Sequence, residues 1–366
     1  MLFQRYSRSA AALFGFLFCI ALAVQAQAQA QTQPAAKLPN VTILATGGTI
    51  AGTGATSTTT VGYTAATVGV QALIQAVPEI TKVANVTGEQ VFQIASENMG
   101  NEHWLTLAKR VNVLLAQPNV DGIVITHGTD TLEETAYFLN LVVKSKKPVV
   151  VVGSMRPSTA LSADGPINLY NAVLLAGSQE AVGRGVLVAL NDQIQSARDV
   201  TKTNTTTADT FKATELGMLG YIQGGKPYFY RSPTRKHTVE TEFDVSSLSV
   251  LPQVEIAYAH ANVGPVAVEA LVASGAKGLV HAGVGNGSLP AKVRPALSAA
   301  RKKGVIIVRS SRVGQGIVAR NGEANDDELD FVAGDNLSPQ KARILLMLAL
   351  TKTTNTRDIQ KMFGTY

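Results

Sequence analysis

The chain is almost without cysteine. Its one cysteine among 366 residues, Cys19, lies in an N-terminal apolar run. Phe18 precedes it, where a lipidated cysteine would need a small residue. A chain cut behind that run has no thiol, which excludes a disulfide framework, a thiol nucleophile and a cysteine-based metal site. Aromatic residues are scarce at 6%, which argues against a nucleic-acid surface built on basic and aromatic residues. Charged residues make up only 16% and hydrophobic ones 46%, a globular and not a disordered balance. The net charge is +6, of which Arg5 and Arg8 supply two, leaving four. Lys144-Ser145-Lys146-Lys147 and Arg301-Lys302-Lys303 each close a predicted helix, where cations complement the helix dipole. Beyond the N-terminus no apolar run approaches the roughly 20 residues of a membrane span.

Residues 1–30 have their own pattern. Arg5 and Arg8 precede an apolar run from about 10 to 24, and Gln25-Ala26-Gln27-Ala28-Gln29-Ala30 offers small-x-small cleavage sites. This is the pattern of a secretory signal peptide, and it predicts export to the periplasm without a stable membrane anchor after processing. A retained anchor is the rival reading of the same run.

From residue 40 short apolar runs alternate with helix-length segments. Strands are expected at 41–46, 91–95, 122–126, 149–152 and 185–190, with helices at 67–77, 102–116, 132–143 and 166–176. Thr131-Leu132-Glu133-Glu134 reads as a capping box opening the third helix. Strands that are apolar throughout, alternating with helices, predict a parallel sheet covered on both faces. The pattern breaks between about 224 and 252, then resumes with strands at 254–258, 278–281 and 305–308. The expected class is α/β: a larger N-terminal parallel-sheet domain (38–230), a linker (231–252) and a smaller C-terminal α/β domain (253–366).

In open parallel sheets, sites lie beyond the carboxyl ends of the strands. The first strand runs into Thr46-Gly47-Gly48-Thr49-Ile50-Ala51-Gly52. That spacing is neither Gly-x-Gly-x-x-Gly nor a phosphate loop. The glycines allow a sharp turn that lifts Thr49 toward a cleft; a plain tight turn is the alternative. The third strand runs into Thr126-His127-Gly128-Thr129-Asp130-Thr131, directly before a helix whose N-terminal N–H groups can hold a carboxylate or an oxyanion. A threonine hydroxyl needs a partner that takes its proton. No histidine lies in a metal or serine-hydrolase motif, and His127 and His281, at strand ends, read as buried and merely hydrogen-bonded. A lysine or a tyrosine is then the base to seek, and Lys202, shortly after the fifth strand, falls on the same sheet edge.

These motifs resemble those of the bacterial type II L-asparaginase family, most closely the periplasmic glutaminase-asparaginases. The likeness runs from about 38 to 366. It also includes Gly153-Ser154-Met155-Arg156-Pro157, Ser162-Ala163-Asp164-Gly165, Gly283-Val284-Gly285-Asn286-Gly287 and Asn336-Leu337-Ser338-Pro339-Gln340-Lys341-Ala342-Arg343. The resemblance implies that Thr49 is the nucleophile that becomes acylated and that Tyr63 helps activate it from a mobile lid. It implies that Thr129, Asp130 and Lys202 form a second constellation for proton transfer and water attack. Ser96 and Glu97, with Asp130, would grip the substrate's α-carboxylate and α-amino group. Glu323 would be contributed by a neighbouring subunit of a homotetramer. Glu97 stands where some asparagine-selective relatives have glutamine, and Ser288 where they have asparagine, which implies room for one more methylene. A methylene is worth only about 1–3 kcal/mol of discrimination.

The implied activity is hydrolysis of L-glutamine and L-asparagine to the acids and ammonia, with no cofactor, no metal and no nucleic acid. The alternatives are an asparagine-selective enzyme, an amidase for a larger amide, and an exported amino-acid-binding protein.

Overall fold

Seven of the eight residues of β1 (Asn40–Gly47) are buried. In a computed structural model that describes residues 37–366, this strand is interior to a sheet and covered on both faces. The signal-peptide reading and Cys19 lie outside the described residues. β2 (Asn85–Ile94), β3 (Gly122–Thr126), β4 (Val149–Val152) and β5 (Val186–Leu190) pair with β1 in the order β5-β4-β3-β1-β2, all parallel. Side chains alternate between two cores, as a two-residue period requires. Val41, Ile43, Ala45, Val124, Val150 and Val152 enter one, and Leu44, Ile123, Ile125, Val149 and Val151 the other. Edge strand β2 is longer than its apolar stretch because exposed and half-buried residues alternate along it.

The large sheet is mixed, not parallel throughout. Asn191 and Asp192 both take positive φ (52° and 60°) and turn the chain straight back. β6 (Gln193–Ser196) then runs antiparallel to β5. Such a two-residue turn matches the twist of a hairpin. A short ribbon follows, β7 (Thr201–Lys202) with β8 (Phe211–Lys212). β9 (Gly220–Gln223) and β10 (Lys226–Phe229) complete the sheet, again antiparallel. These strands are two to four residues long and partly polar, so they leave no continuous apolar run.

Helices α1 (Val70–Gln75), α2 (Asn101–Leu115), α3 (Leu132–Val142) and α4 (Gly165–Ala176) cover the two faces, with α2 and α3 in the core that contains Leu44 and α1 and α4 in the other. A second, parallel sheet holds β11 (Val254–Tyr258), β12 (Gly278–Gly283), β13 (Ile306–Ser311) and β14 (Val332–Ala333) in that order. It carries α5 (Val266–Ala273), α6 (Arg294–Lys302), α7 (Asp326–Leu329), α8 (Pro339–Ala349) and α9 (Thr356–Thr365). Among the described residues no helix is long and apolar enough to cross a membrane.

One core spans both sheets. It joins Leu44, Ile123 and Val149 to Val280, Ile306 and Val308 through α3 and α8, which pack on each other. Every residue of α3 from Ala136 to Val142 is buried. A helix buried on all sides belongs in such an interior. The 231–252 stretch crosses between the sheets with Phe243, Val245 and Leu251 inserted in that core. The capping box expected at Thr131 does not form: the Thr131 hydroxyl donates to the Ser96 carbonyl (2.7 Å) and makes no cap bond. Tertiary contact has taken the side chain that a free helix would use on itself.

Phe138 is fully buried on α3 and stacks on Trp104 with ring centroids 5.3 Å apart. Phe138→Ala is expected to cost about 3–5 kcal/mol in chemical denaturation, the usual range for a truncated core aromatic. Because α3 serves both sheets, the variant should still unfold in one transition.

Candidate active site

The site begins with backbone that has no side chain. Gly47 and Gly48 take φ of 108° and 81°, and Thr49 opens a short 3-10 turn behind them. A Cβ on Gly48 would lie 2.2 Å from the Cα of Gly128, and one on Gly128 would lie 2.6 Å from Ser96 Oγ. The loops after β1, β2 and β3 thus meet almost backbone to backbone. β1 stands between β2 and β3, so the chain reverses its direction of travel across the sheet there. Such a switch point opens a crevice at the carboxyl ends of the strands.

A cleft of about 310 Å³ occupies that crevice. Thr49, Tyr63, Ser96, Glu97, Thr129, Asp130 and Lys202 all line it. Met155, from the Gly153–Pro157 motif but without an expected role, lines it too. Thr49 is buried, and its Oγ1 is 2.7 Å from the Tyr63 hydroxyl. Tyr63 is brought there by the 53–64 segment, whose ends are pinned by paired backbone bonds between Thr53 and Thr64 (2.9 and 3.0 Å). Ser96 joins the second and third loops: its Oγ accepts from the Asp130 N–H (3.2 Å) while its carbonyl accepts from Thr131.

Lys202 Nζ donates to Thr129 Oγ1 (2.9 Å) and to Asp130 Oδ1 (2.6 Å). Its side chain is 18% exposed against 60% for Asp130. An ammonium held on a hydroxyl oxygen polarises that hydroxyl. The path to this position differs from a simple strand end. β6 leads the chain back away from the edge, and Lys202 returns only through the 197–202 segment, in which Ala197 and Val200 enter the core shared by the two sheets.

No histidine lines the cleft. His127 is fully buried, and desolvation pushes it down to about 4. Its Nδ1 faces the Gly128 carbonyl at 2.7 Å. A carbonyl only accepts, so Nδ1 carries the proton. Nε2, 2.9 Å from Thr135 Oγ1, then accepts from that hydroxyl, which itself accepts from Trp104 Nε1 (2.9 Å). His127 thus fixes the Gly128 loop. His281 is buried too and is likewise pushed down to about 4 by desolvation.

Two further residues do not reach the cleft of their own chain. Glu323 stands on an exposed turn after Asn321, and Ser288 bridges back to Val284, its N–H donating to the Val284 carbonyl (2.9 Å). Glu133 does more than open a helix. It is buried, and its Oε2 accepts the Lys202 backbone N–H at 2.6 Å. Paired carboxylates, Glu133 and Glu134, in the first turn of a largely buried helix were the available signal.

Gly48→Ala meets both a left-handed φ and a backbone clash. It is expected to lose activity and to destabilise by more than the about 1–3 kcal/mol of ordinary overpacking, read by denaturation beside turnover. A second expectation concerns pH. The folded His127 resists protonation until about pH 4, whereas the unfolded side chain protonates near 6.5. Its contribution to stability is therefore complete above 6.5 and lost as pH falls from 6.5 to 4. His127→Gln should flatten the stability–pH curve in that window by about one proton; an unchanged slope would refute the assignment.

Comparison with known proteins agrees with this architecture. The asparaginase N-terminal family model matches residues 40–235, and the glutaminase/asparaginase C-terminal domain model matches 253–363. The chain is 56% identical over 335 residues to a glutaminase-asparaginase of Pseudomonas fluorescens biotype A, covering 91% of this chain and 92% of that one. It is 57% identical over 329 residues to L-asparaginase 2 of Bacillus subtilis (strain 168), covering 90% and 87%. To L-asparaginase 2 of Escherichia coli (strain K12) it is 53% identical over 332 residues, covering 91% and 94%. With both halves matched in order and this identity over nine-tenths of its length, the chain belongs to the glutaminase/asparaginase family of amidohydrolases.

Proposed function

We propose that this amidohydrolase cleaves the side-chain amides of L-glutamine and L-asparagine through an ester on Thr49. One observation carries the reading: two hydroxyls stand in one cleft, each with its own partner. Thr49 is within 2.7 Å of Tyr63, and Thr129 is held by Lys202 beside Asp130. Acyl transfer needs a hydroxyl to attack and a second polar group to manage water. Thr49 Oγ adds to the amide carbon as its proton passes to the Tyr63 oxygen and the phenol proton moves on to the leaving nitrogen. Ammonia departs, leaving the ester. Water then attacks the ester carbon and gives its proton to the Thr129 hydroxyl, which the Lys202 ammonium polarises, as the Thr129 proton passes on to the departing Thr49 oxygen.

The rim of the cleft suits an amino acid. Asp130 and Glu97 offer negative charge for an α-ammonium, and Ser96 offers a hydroxyl for the α-carboxylate. Glu97 and Ser288 favour both amides over asparagine alone. Glu323, exposed and outside its own cleft, suits delivery to the site of a neighbouring subunit in a homotetramer. Export to the periplasm rests on the pattern of residues 1–30 and accords with a relative named probable periplasmic L-asparaginase, from Haemophilus influenzae, 52% identical over 329 residues.

Ammonia release from L-glutamine and L-asparagine tests the proposal. Lys202→Met is expected to lower kcat roughly 10²–10⁴-fold, the usual worth of a positioned proton-transfer group. Thr49→Ala should lose more and form no ester detectable by mass spectrometry of the quenched reaction. Undiminished turnover in both variants would sink the mechanism. Tight binding of either amino acid without turnover in the unaltered protein would favour a binding protein instead.

A further inference from the structure

Neither a strand of the large sheet nor a glycine turn delivers Lys202 to the cleft. Its ribbon is two residues long, and its own strand partner is Phe211. Something else has to set the 2.9 Å between Nζ and Thr129 Oγ1.

Two side chains from α3 and α8 hold the main chain of this segment, and a third braces one of them. Glu133 Oε2 accepts the Lys202 N–H at 2.6 Å. Lys341 Nζ, buried, donates to the carbonyls of Arg198 (2.8 Å) and Val200. Gln340 Nε2 donates to the other oxygen of Glu133 at 2.9 Å. Glu133 stands one residue inside α3, whose entry carries Thr129 and Asp130. One buried carboxylate thus ties the main chain of the lysine to the helix that presents the lysine's two side-chain partners. Gln340 and Lys341 belong to α8, which packs on the second sheet, and to the Asn336–Arg343 motif that has no part in the chemistry proposed so far.

We propose that Glu133, braced by Gln340 and assisted by Lys341, is the positioning residue that holds Lys202 on Thr129 and Asp130. The second sheet thereby sets the proton-transfer geometry of a cleft in the first. The proposal rests on the function proposed above. Its physical basis is that a charged acceptor on a backbone N–H makes a strong, directional bond where water cannot compete. Glu133→Gln keeps the volume but leaves one oxygen for two donors and turns an N–H₂ toward one of them.

The test is a double-mutant cycle on steady-state ammonia release, with Glu133→Gln made in the unaltered protein and in Lys202→Met. If Glu133 acts through Lys202, the first substitution lowers kcat on the order of 10²-fold, as a misplacement near 1 Å does. In the Lys202→Met background it should then change kcat little, because the group it places is gone. A loss of the same factor in both backgrounds would mean a general structural role and overturn the proposal. So would full activity of Glu133→Gln alone. Gln340→Ala serves as a second arm should Glu133→Gln not fold. It removes only the brace, and is expected to lower kcat several-fold in the unaltered protein and not in Lys202→Met; no loss overturns the proposal. A fully active Lys202→Met would instead refute the underlying mechanism, so the two failures are distinguishable.

Discussion

Gly48 and Gly128 touch where neither has a Cβ, and the cleft exists because of that contact. A methyl on Gly48 would sit 2.2 Å from the Gly128 backbone. The two loops carry Thr49 and Thr129, one residue beyond each glycine. Parallel strands alone would hold the loop starts about 4.8 Å apart, and closer approach beyond the strand ends needs bare backbone. His127, kept neutral by burial, and Ser96, bonded to both Asp130 and Thr131, fasten the same junction from behind. The threonines are placed by rigid main chain, which is what pre-organised chemistry asks of a scaffold.

The opposite wall depends on a longer chain of contacts. Lys202 reaches Thr129 after a hairpin that the large sheet turns back on itself, and polar groups from α3 and α8 meet around its main chain. Those helices lie in the core common to both sheets. The two halves of the chain are therefore mechanically continuous behind the cleft. Glu133, Gln340 and Lys341 join that shared interior to the main chain beneath the Lys202 ammonium.

Much of the architecture was legible because buried parallel strands must be apolar along their whole length. β3 and β4 match their expected bounds for that reason: every residue of each strand is buried. β2 was foreseen only at its apolar end, since the rest alternates outward. β6 to β10 were not foreseen, being too short and too polar, although the consecutive Asn191 and Asp192 were a turn signal in plain view. The capping box failed because Thr131 found a better acceptor in Ser96, 35 residues away along the chain. Local rules lose when a distant carbonyl offers the stronger bond.

The longer apolar strands and the main helices were readable from local pattern, because periodicity and glycine placement act over a few residues. Through its motifs the sequence also determined the family, and it marked Thr49, Thr129, Asp130 and Lys202 as residues of interest. How they meet is a property of the folded chain. The fold brought the Tyr63 hydroxyl to Thr49, returned Lys202 across a hairpin, and gave Glu133 a place beneath the lysine instead of an ordinary helix start. Those contacts join residues 14, 73 and 69 positions apart. No local pattern encodes such separations; they follow from the order in which the strands pair and from the core that the two sheets share.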